Sequence, residues 1–409
     1  MKVWIKYLIG IAFGLAASFI LPMENAKCAE IIAFLTELFI RVGRYLVVPL
    51  IFSTAIVSIH KLRTSKLLGK TFIWTVILIV LSSLLLTLLG LLSILIIKLP
   101  RIPITVDVAS NIDKLDVKAM LLSLFPYSGF EAVKEGSFLL VSFVFAFLIG
   151  WESASDESAF KPVFSLADSC SKLFYNIAVF FTELMSVMLV AIMCYWTFEF
   201  RNILSSGIFT PMILMFTVDF VIVVGIIYPL ILKYLCHDPH PYKVLYASIS
   251  PILLALISGD TNLIFPLSVR HAKESLGIRR RCGGFTFPMF SIFARGGSAL
   301  VSVIAFTFIW RSYSKLSIPF TDILLISGFS FILSFLLGGL PSGGAFVLLT
   351  ILCSKYGKGF ETSYVLLKPA ASIICSFSVI FDVATSMFGS YIVAVKTKMV
   401  EHHIIQHFI

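Results

Sequence analysis

The feature that most constrains this chain is the recurrence of apolar runs long enough to cross a bilayer. A spanning helix takes about 20 mostly apolar residues. Runs of that kind fall at about 4–22, 31–59, 71–98, 137–150, 173–198, 204–235, 285–309 and 362–395. Two further runs, about 243–269 and 323–353, are interrupted. The first breaks at Ser258-Gly259-Asp260-Thr261-Asn262 and the second at Gly338-Gly339-Leu340-Pro341-Ser342-Gly343-Gly344. A polar or glycine/proline break at membrane depth bares backbone groups that lipid cannot satisfy, so it survives only inside protein or beside a wet cavity. Paired breaks point to the binding site of a secondary transporter. The expected fold is an all-α integral membrane protein with eight transmembrane helices and two re-entrant helical hairpins.

Composition agrees. Only 13% of the 409 residues are charged and 59% are hydrophobic, whereas a soluble domain carries roughly 25% charge. Phe is the clearest bias, at 39 residues. The net charge of +10 does not suggest nucleic acid, because the basic residues sit in short loops between apolar runs and read as topology signals. Seven scattered cysteines form no C-x-x-C or Cys/His cluster, so neither a disulfide framework nor a metal site is expected. Lys2 and Lys6 ahead of an apolar stretch fit a cleaved signal peptide as well as a first span; the runs that follow favour a span.

Orientation follows from the basic clusters Lys2/Lys6, His60 to Lys70, Arg270 to Arg281 and Lys396/Lys398. All four fall on one side if eight spans cross and the two hairpins do not. That side is expected to be cytoplasmic, with both termini inside the cell membrane. The 151–170 loop falls on the same side although it is acidic (Glu152, Asp156, Glu157). The polar stretch at about 99–136 is expected outside. No soluble domain or repeat appears, so residues 1–409 read as one membrane unit.

At the interruptions the sequence resembles the dicarboxylate/amino acid:cation symporter family, the glutamate transporter fold. Leu38 to Phe52 (LFIRVGRYLVVPLIF) resembles the family's second span, and Phe130-Glu131-Ala132 its fourth. Pro266 to Lys273 is similar to the arm leaving the first hairpin, and Phe285-Thr286-Phe287-Pro288 to the start of the seventh span. Gly339-Leu340-Pro341-Ser342-Gly343-Gly344-Ala345 resembles the second hairpin tip, and Gly389-Ser390-Tyr391-Ile392-Val393-Ala394 the end of the eighth span. The resemblance implies a homotrimer and an elevator mechanism. It also implies a scaffold of about 1–66 and 99–203, and a transport unit of about 67–98 and 204–395 gated by the hairpins.

The site is expected where polar groups collect inside apolar spans, since burying them costs free energy unless they are paired. The seventh span carries Ala294-Arg295-Gly296-Gly297-Ser298, whose small residues should unwind easily. The resemblance places Ala294, Arg295 and Gly296 where relatives carry Asn-Met-Asp, whose Asn and Asp bind sodium. In the eighth span Cys375, Ser378, Asp382 and Ser386 share one helix face. Ser378 falls where acidic-substrate members place an Arg, and Cys375 where an Asp holds the amino group. Asp382 takes the place of an Asn that contacts substrate and sodium, and Ser386 that of a sodium-binding Asp. Expected substrate contacts are Asp260, Thr261, Asn262, Ser298, Ser342, Gly343, Ser378 and Asp382. The coupling region comprises Ala294, Arg295, Gly296, Asp382, Ser386, Ser82 and Ser83, and the gate Gly339, Pro341, Gly343 and Gly344.

Charge complementarity suggests that Arg295 pairs with Asp382 and does the work of a bound cation. Each polar residue also has a plainer reading. Arg295 could be a structural counter-ion or snorkel to an interface, Asp382 could cap or pair within the bundle, and Asp260 and Asn262 could satisfy helix-end groups. Asp219 and Glu183 lie in spans with no other motif and read as packing or subunit contacts. The expected function is secondary transport of a small organic solute, an amino acid or carboxylate. Sodium coupling is put in question by the substituted ligands. Proton coupling through Asp382 or Asp260, uncoupled exchange of a neutral solute, or an anion channel are the alternatives. No nucleophile–base pair, metal triad or phosphate loop suggests an enzyme. No cofactor is expected beyond Na+ or H+ as coupling ion, and the partners are solute, membrane lipid and further copies of the chain.

Overall fold

The computed structural model describes residues 2–21, 26–96, 139–205, 207–313, 319–340, 342–357, 360, 363–401, 404 and 407–409. The 99–136 stretch, the Phe130-Glu131-Ala132 match and Pro341 lie outside them. The described residues form helices α1 (Val3–Ile20), α2 (Ala26–Arg44), α3 (Val47–Thr64), α4 (Leu68–Ile96), α5 (Leu139–Ser153) and α6 (Lys161–Ser205). They continue with α7 (Thr210–Phe220), a π-helical stretch (Val221–Ile227), α8 (Tyr228–Cys236), α9 (Tyr242–Ser258), α10 (Thr261–Glu274), α11 (Arg280–Phe293) and α12 (Gly296–Tyr313). The last elements are α13 (Phe320–Ser334), a 3-10 turn (Phe335–Gly339), α14 (Gly344–Tyr356), a 3-10 segment (Ser363–Ala370) and α15 (Ala371–Lys396).

Eight described segments are long and apolar enough to cross a membrane: Val3–Ile20, Lys27–Thr64, Leu68–Ile96, Lys161–Arg201, Thr210–Cys236, Arg280–Tyr313, Phe320–Gly339 and Ser363–Lys396. Seven coincide with expected spans. Phe320–Gly339 is the first limb of the interrupted 323–353 run, whereas Leu139–Ser153, at the expected 137–150 span, falls in the shorter class.

Local chemistry explains the interruptions. The expected 31–59 run divides at Tyr45–Leu46, where Pro49 clashes with the carbonyl four residues back and so disrupts the helix there. The 243–269 run ends its first limb at Gly259, a left-handed C-cap with φ +57°, the conformation that glycine adopts at least cost.

The helices pack in two overlapping groups that meet where α3 lies on α11. Helices α1 and α2 lie along α6, and α3 packs on α5, α6 and α11. Helix α4 lies along α12, with α13 and α15 beside it, and α15 also packs on α9 and α11. Small residues bring backbones together at these crossings. A Cβ on Gly14 would sit 2.6 Å from the Val190 carbonyl oxygen, and one on Gly150 2.8 Å from that of Ile56. Helices α11, α12 and the second half of α15 are buried almost throughout, while α4 and α13 expose leucine, isoleucine and phenylalanine.

Candidate functional site

Helix α11 stops at Phe293. Ala294 adopts φ −84°, ψ 69°, and the Arg295 N–H donates to the Phe293 carbonyl at 3.0 Å. That is an inverse γ-turn, and it turns the chain before α12 begins. The expected unwinding is thus confined to Ala294 and Arg295. Gly296, Gly297 and Ser298 are helical and form the first turn of α12, contrary to the sequence expectation. The reason lies across the interface: Asp382 of α15 supplies a cap. Its Oδ1 accepts from the Gly297 N–H at 2.8 Å, and its Oδ2 lies 3.5 Å from the Ser298 hydroxyl, which donates to it. First-turn N–H groups have no partner within their own helix, and a carboxylate there is favoured by the helix dipole.

Arg295 completes the arrangement. Its Nη1 is 3.7 Å from Asp382 Oδ2, and both side chains are 4% exposed. At that separation they attract as charges rather than as a hydrogen-bonded pair. Nη2 donates to Thr261 Oγ1 at 3.0 Å, which ties the unwound turn to the start of α10. Nε is buried without a hydrogen-bond partner among the described residues. Glycine makes the approach possible. A Cβ on Gly297 would fall 2.5 Å from the Ser378 carbonyl oxygen and 2.7 Å from Asp382 Oδ1, and one on Gly296 would fall 2.6 Å from Ser83 Cα.

The first break is built around Asp260. Its Oδ1 accepts from the Asn262 and Leu263 N–H groups at 2.8 and 3.3 Å, so it is the N-cap of α10. Its Oδ2 pairs with Arg44 at the end of α2. Arg44 Nη2 also lies 3.4 Å from the Ser342 hydroxyl oxygen at the second break. There Gly343 takes φ +78° and precedes α14 without any side-chain cap. Ser342 is exposed, and Gly339 closes the 3-10 turn.

The structure therefore gathers Asp260, Thr261, Asn262, Arg295, Gly296, Ser298 and Asp382 around the start of α10, the start of α12 and the middle of α15. Ser83 is buried against Gly296. Ser378 and Ser386 are back-bonded within α15, to the carbonyls of Cys375 and Val383. Ser82 stands apart: it bonds the Ile79 carbonyl and lines an outward-facing groove. Sequence reasoning treated Arg44 only as part of a motif. The signal available was a second arginine, after Arg41, at the end of an apolar helix.

Two cavities help to define the site. One of about 10 Å³ is lined by Thr261, Phe265, Ser268, Phe290, Ser291, Asp382, Val383 and Ser386. That is room for about one water, and it touches hydroxyls and a carboxylate. The other, about 940 Å³, is walled by leucines of α4, by α8 and by the Phe388 side of α15. Its lining is apolar, suited to lipid tails.

A further charged group lies on the arm of α10. Arg270 pairs with Glu183 at 2.7 Å and with Glu274 at 3.3 Å, and donates to Thr182 Oγ1 at 2.8 Å. Lys6 also pairs with Glu183, and the Tyr175 hydroxyl donates to Glu274 at 2.6 Å. Glu183 is thus a packing contact within the chain, between α1, α6 and α10. Asp219 accepts from the Ser93 hydroxyl at 2.6 Å and joins α7 to α4.

The model of the sodium:dicarboxylate symporter family matches residues 2–396. A stretch of 113 residues is 26% identical to neutral amino acid transporter B(0) of Homo sapiens and of Macaca fascicularis. The Oryctolagus cuniculus protein of the same name matches equally. Each match spans 28% of this chain and 21% of the relative. With its apolar spans and a family match over nearly its whole length, the protein is an integral membrane transporter, a member of the sodium:dicarboxylate symporter family.

Proposed function

We propose that the protein is a secondary transporter of a small solute of net zero charge, of the neutral amino acid type, in which Arg295 stands in for a bound sodium ion. The observation that carries this reading is the buried Arg295–Asp382 pair at the unwound turn. A guanidinium brings a fixed positive charge and five donors. It sits beside the carboxylate that caps α12, and the ligands that relatives would offer sodium are here Ala294 and Gly296. Arg44–Asp260 and Arg295–Asp382 balance in charge, which suits a solute of no net charge. No arginine stands at Ser378 to grip a second carboxylate bidentately, and the named relatives are neutral amino acid transporters.

In this reading α9–α10 and α13–α14 are re-entrant hairpins. The α4 and α7–α15 group moves as an elevator against α1–α3, α5 and α6, within a homotrimer. The protein lies in the cytoplasmic membrane with both termini inside. The two packing groups and the basic loops support this assignment.

A second reading draws on the unpartnered Arg295 Nε: Arg295 holds a solute carboxylate and Asp382 carries a proton. Counterflow in proteoliposomes tests both. Trans-accelerated exchange of alanine or serine, with little aspartate exchange and no steep pH dependence, is expected. Saturable aspartate exchange contradicts the neutral-solute reading, strong pH dependence favours the second, and flux without trans-acceleration indicates a channel.

A further inference from the structure

Arg44 joins three parts of the chain. It ends α2, a helix that lies along α6. Its guanidinium pairs through Nε and Nη2 with Asp260 at the first break, and Nη2 reaches the Ser342 hydroxyl at the second, 3.4 Å away. The neighbouring Gly43 lets α2 approach closely: a Cβ there would collide with a methyl group of Leu263, three residues past Asp260. We propose that Arg44 is a latch that fastens both hairpin tips to the α1–α2–α6 body in this conformation. Opening of the second hairpin then requires release of the Arg44–Ser342 contact, and departure of the moving body from α2 requires release of the Arg44–Asp260 pair. The inference rests on the hairpin reading given above.

The physical properties of the pair suit a releasable contact. The Arg44 side chain is 37% exposed while that of Asp260 is 1% exposed, so water reaches one partner and weakens the attraction. Asp260 does not become bare when Arg44 leaves, because the Asn262 and Leu263 N–H groups still donate to its other oxygen. Arg295 and Asp382, by contrast, both belong to the buried α11–α12 and α15 group and travel together. Of these two pairs, Arg44–Asp260 must break during an elevator movement and Arg295–Asp382 need not. The fork geometry matters as well. A guanidinium can address two acceptors at once, whereas a lysine ammonium is a point charge.

Hydrogen–deuterium exchange of the full-length protein in nanodiscs tests the latch. Arg44→Gln is expected to speed amide exchange in both 259–264 and 338–346 by at least about fivefold, by shifting local opening. Ser342→Ala should speed only the second segment. Arg44→Lys should restore the first but not the second. Arg41→Gln, which removes an exposed pair with Glu37 on the same helix, should change neither. Wild-type exchange in both segments of Arg44→Gln would overturn the latch. The hairpin reading fails separately: if Gly343→Val transports at the wild-type rate, the second break is not the gate, whatever Arg44 does.

Discussion

The two interrupted regions differ in how their tips are held. In the first, Asp260 caps α10, pairs with Arg44 and stands beside Thr261, which accepts from Arg295. Residues 258–264 are all buried, and the arm beyond is tied down through Arg270 to Glu183 and Glu274. In the second, Gly343 begins α14 with no side-chain cap, and nothing lies within 4 Å of the position a Cβ would take. Its first limb exposes Leu324, Leu325, Phe329 and Ile332. One tip is fastened by charges and caps; the other is held, among the described residues, by a long contact from Arg44 to Ser342 and by Ser302, whose hydroxyl donates to the Ala345 carbonyl at 2.9 Å. Local stability follows the number of buried contacts, so the first region is the better held of the two, and the proposed function takes the second as the gate.

The sharpest way to break this comparison is at Arg295. Removing one side of a buried pair costs about 3–5 kcal/mol, because the other charge is left uncompensated. Arg295→Met should lower unfolding stability by that amount, and adding Asp382→Asn should recover part of it. A double variant no more stable than the single one would show that the two residues are not coupled.

A smaller effect is expected on the arm beyond the first break. Arg270→Gln removes charge-assisted bonds worth about 1.5–3 kcal/mol, while Glu183 keeps Lys6 as a partner. Thermal unfolding that matches wild type would mean that the arm does not contribute to fixing the first region.

Gly343→Val separates movement from stability. Forcing a β-branched residue into φ +78° costs roughly 1–2 kcal/mol, with no clash to add. Uptake should fall severely while the protein still inserts and folds. Uptake at the wild-type rate would remove the distinction between the two tips.

How much of this was legible beforehand depends on the kind of signal. The apolar runs and the breaks at Gly259 and Gly343 show in the sequence because glycine, proline and long apolar stretches carry local information. The closeness of Arg295 and Asp382 was inferred from charge complementarity, and the structure places them together. The helical state of Gly296 to Ser298 was missed because it depends on a cap from Asp382, 85 positions away by number. Arg44 was missed for the same reason: its partners at Asp260 and Ser342 are set by tertiary packing, not by neighbours in the chain. Ser82 and Ser83 are adjacent yet face different surroundings, which only the rotation of α4 decides.

A control away from both regions is Asp238, in the turn between α8 and α9. Burial pushes its carboxyl up, but hydrogen bonds from Lys243 and Tyr391 outweigh this and hold it below the ordinary 3.8. A lowered folded-state value contributes stability above the ordinary value, and that contribution is lost as pH falls through the folded one. Asp238→Asn should therefore cost about 1 kcal/mol at neutral pH. The deficit should shrink below about pH 4, with no change in exchange at either tip.

The smallest expected effect tests the central claim most directly. If Arg295 is the built-in cation, sodium has little left to bind. Thermal unfolding of the purified wild-type protein, in sodium chloride against choline chloride at equal ionic strength, should give the same midpoint at every concentration. A midpoint that rises with sodium alone, as mass action requires of a ligand bound to the native state, would contradict the account.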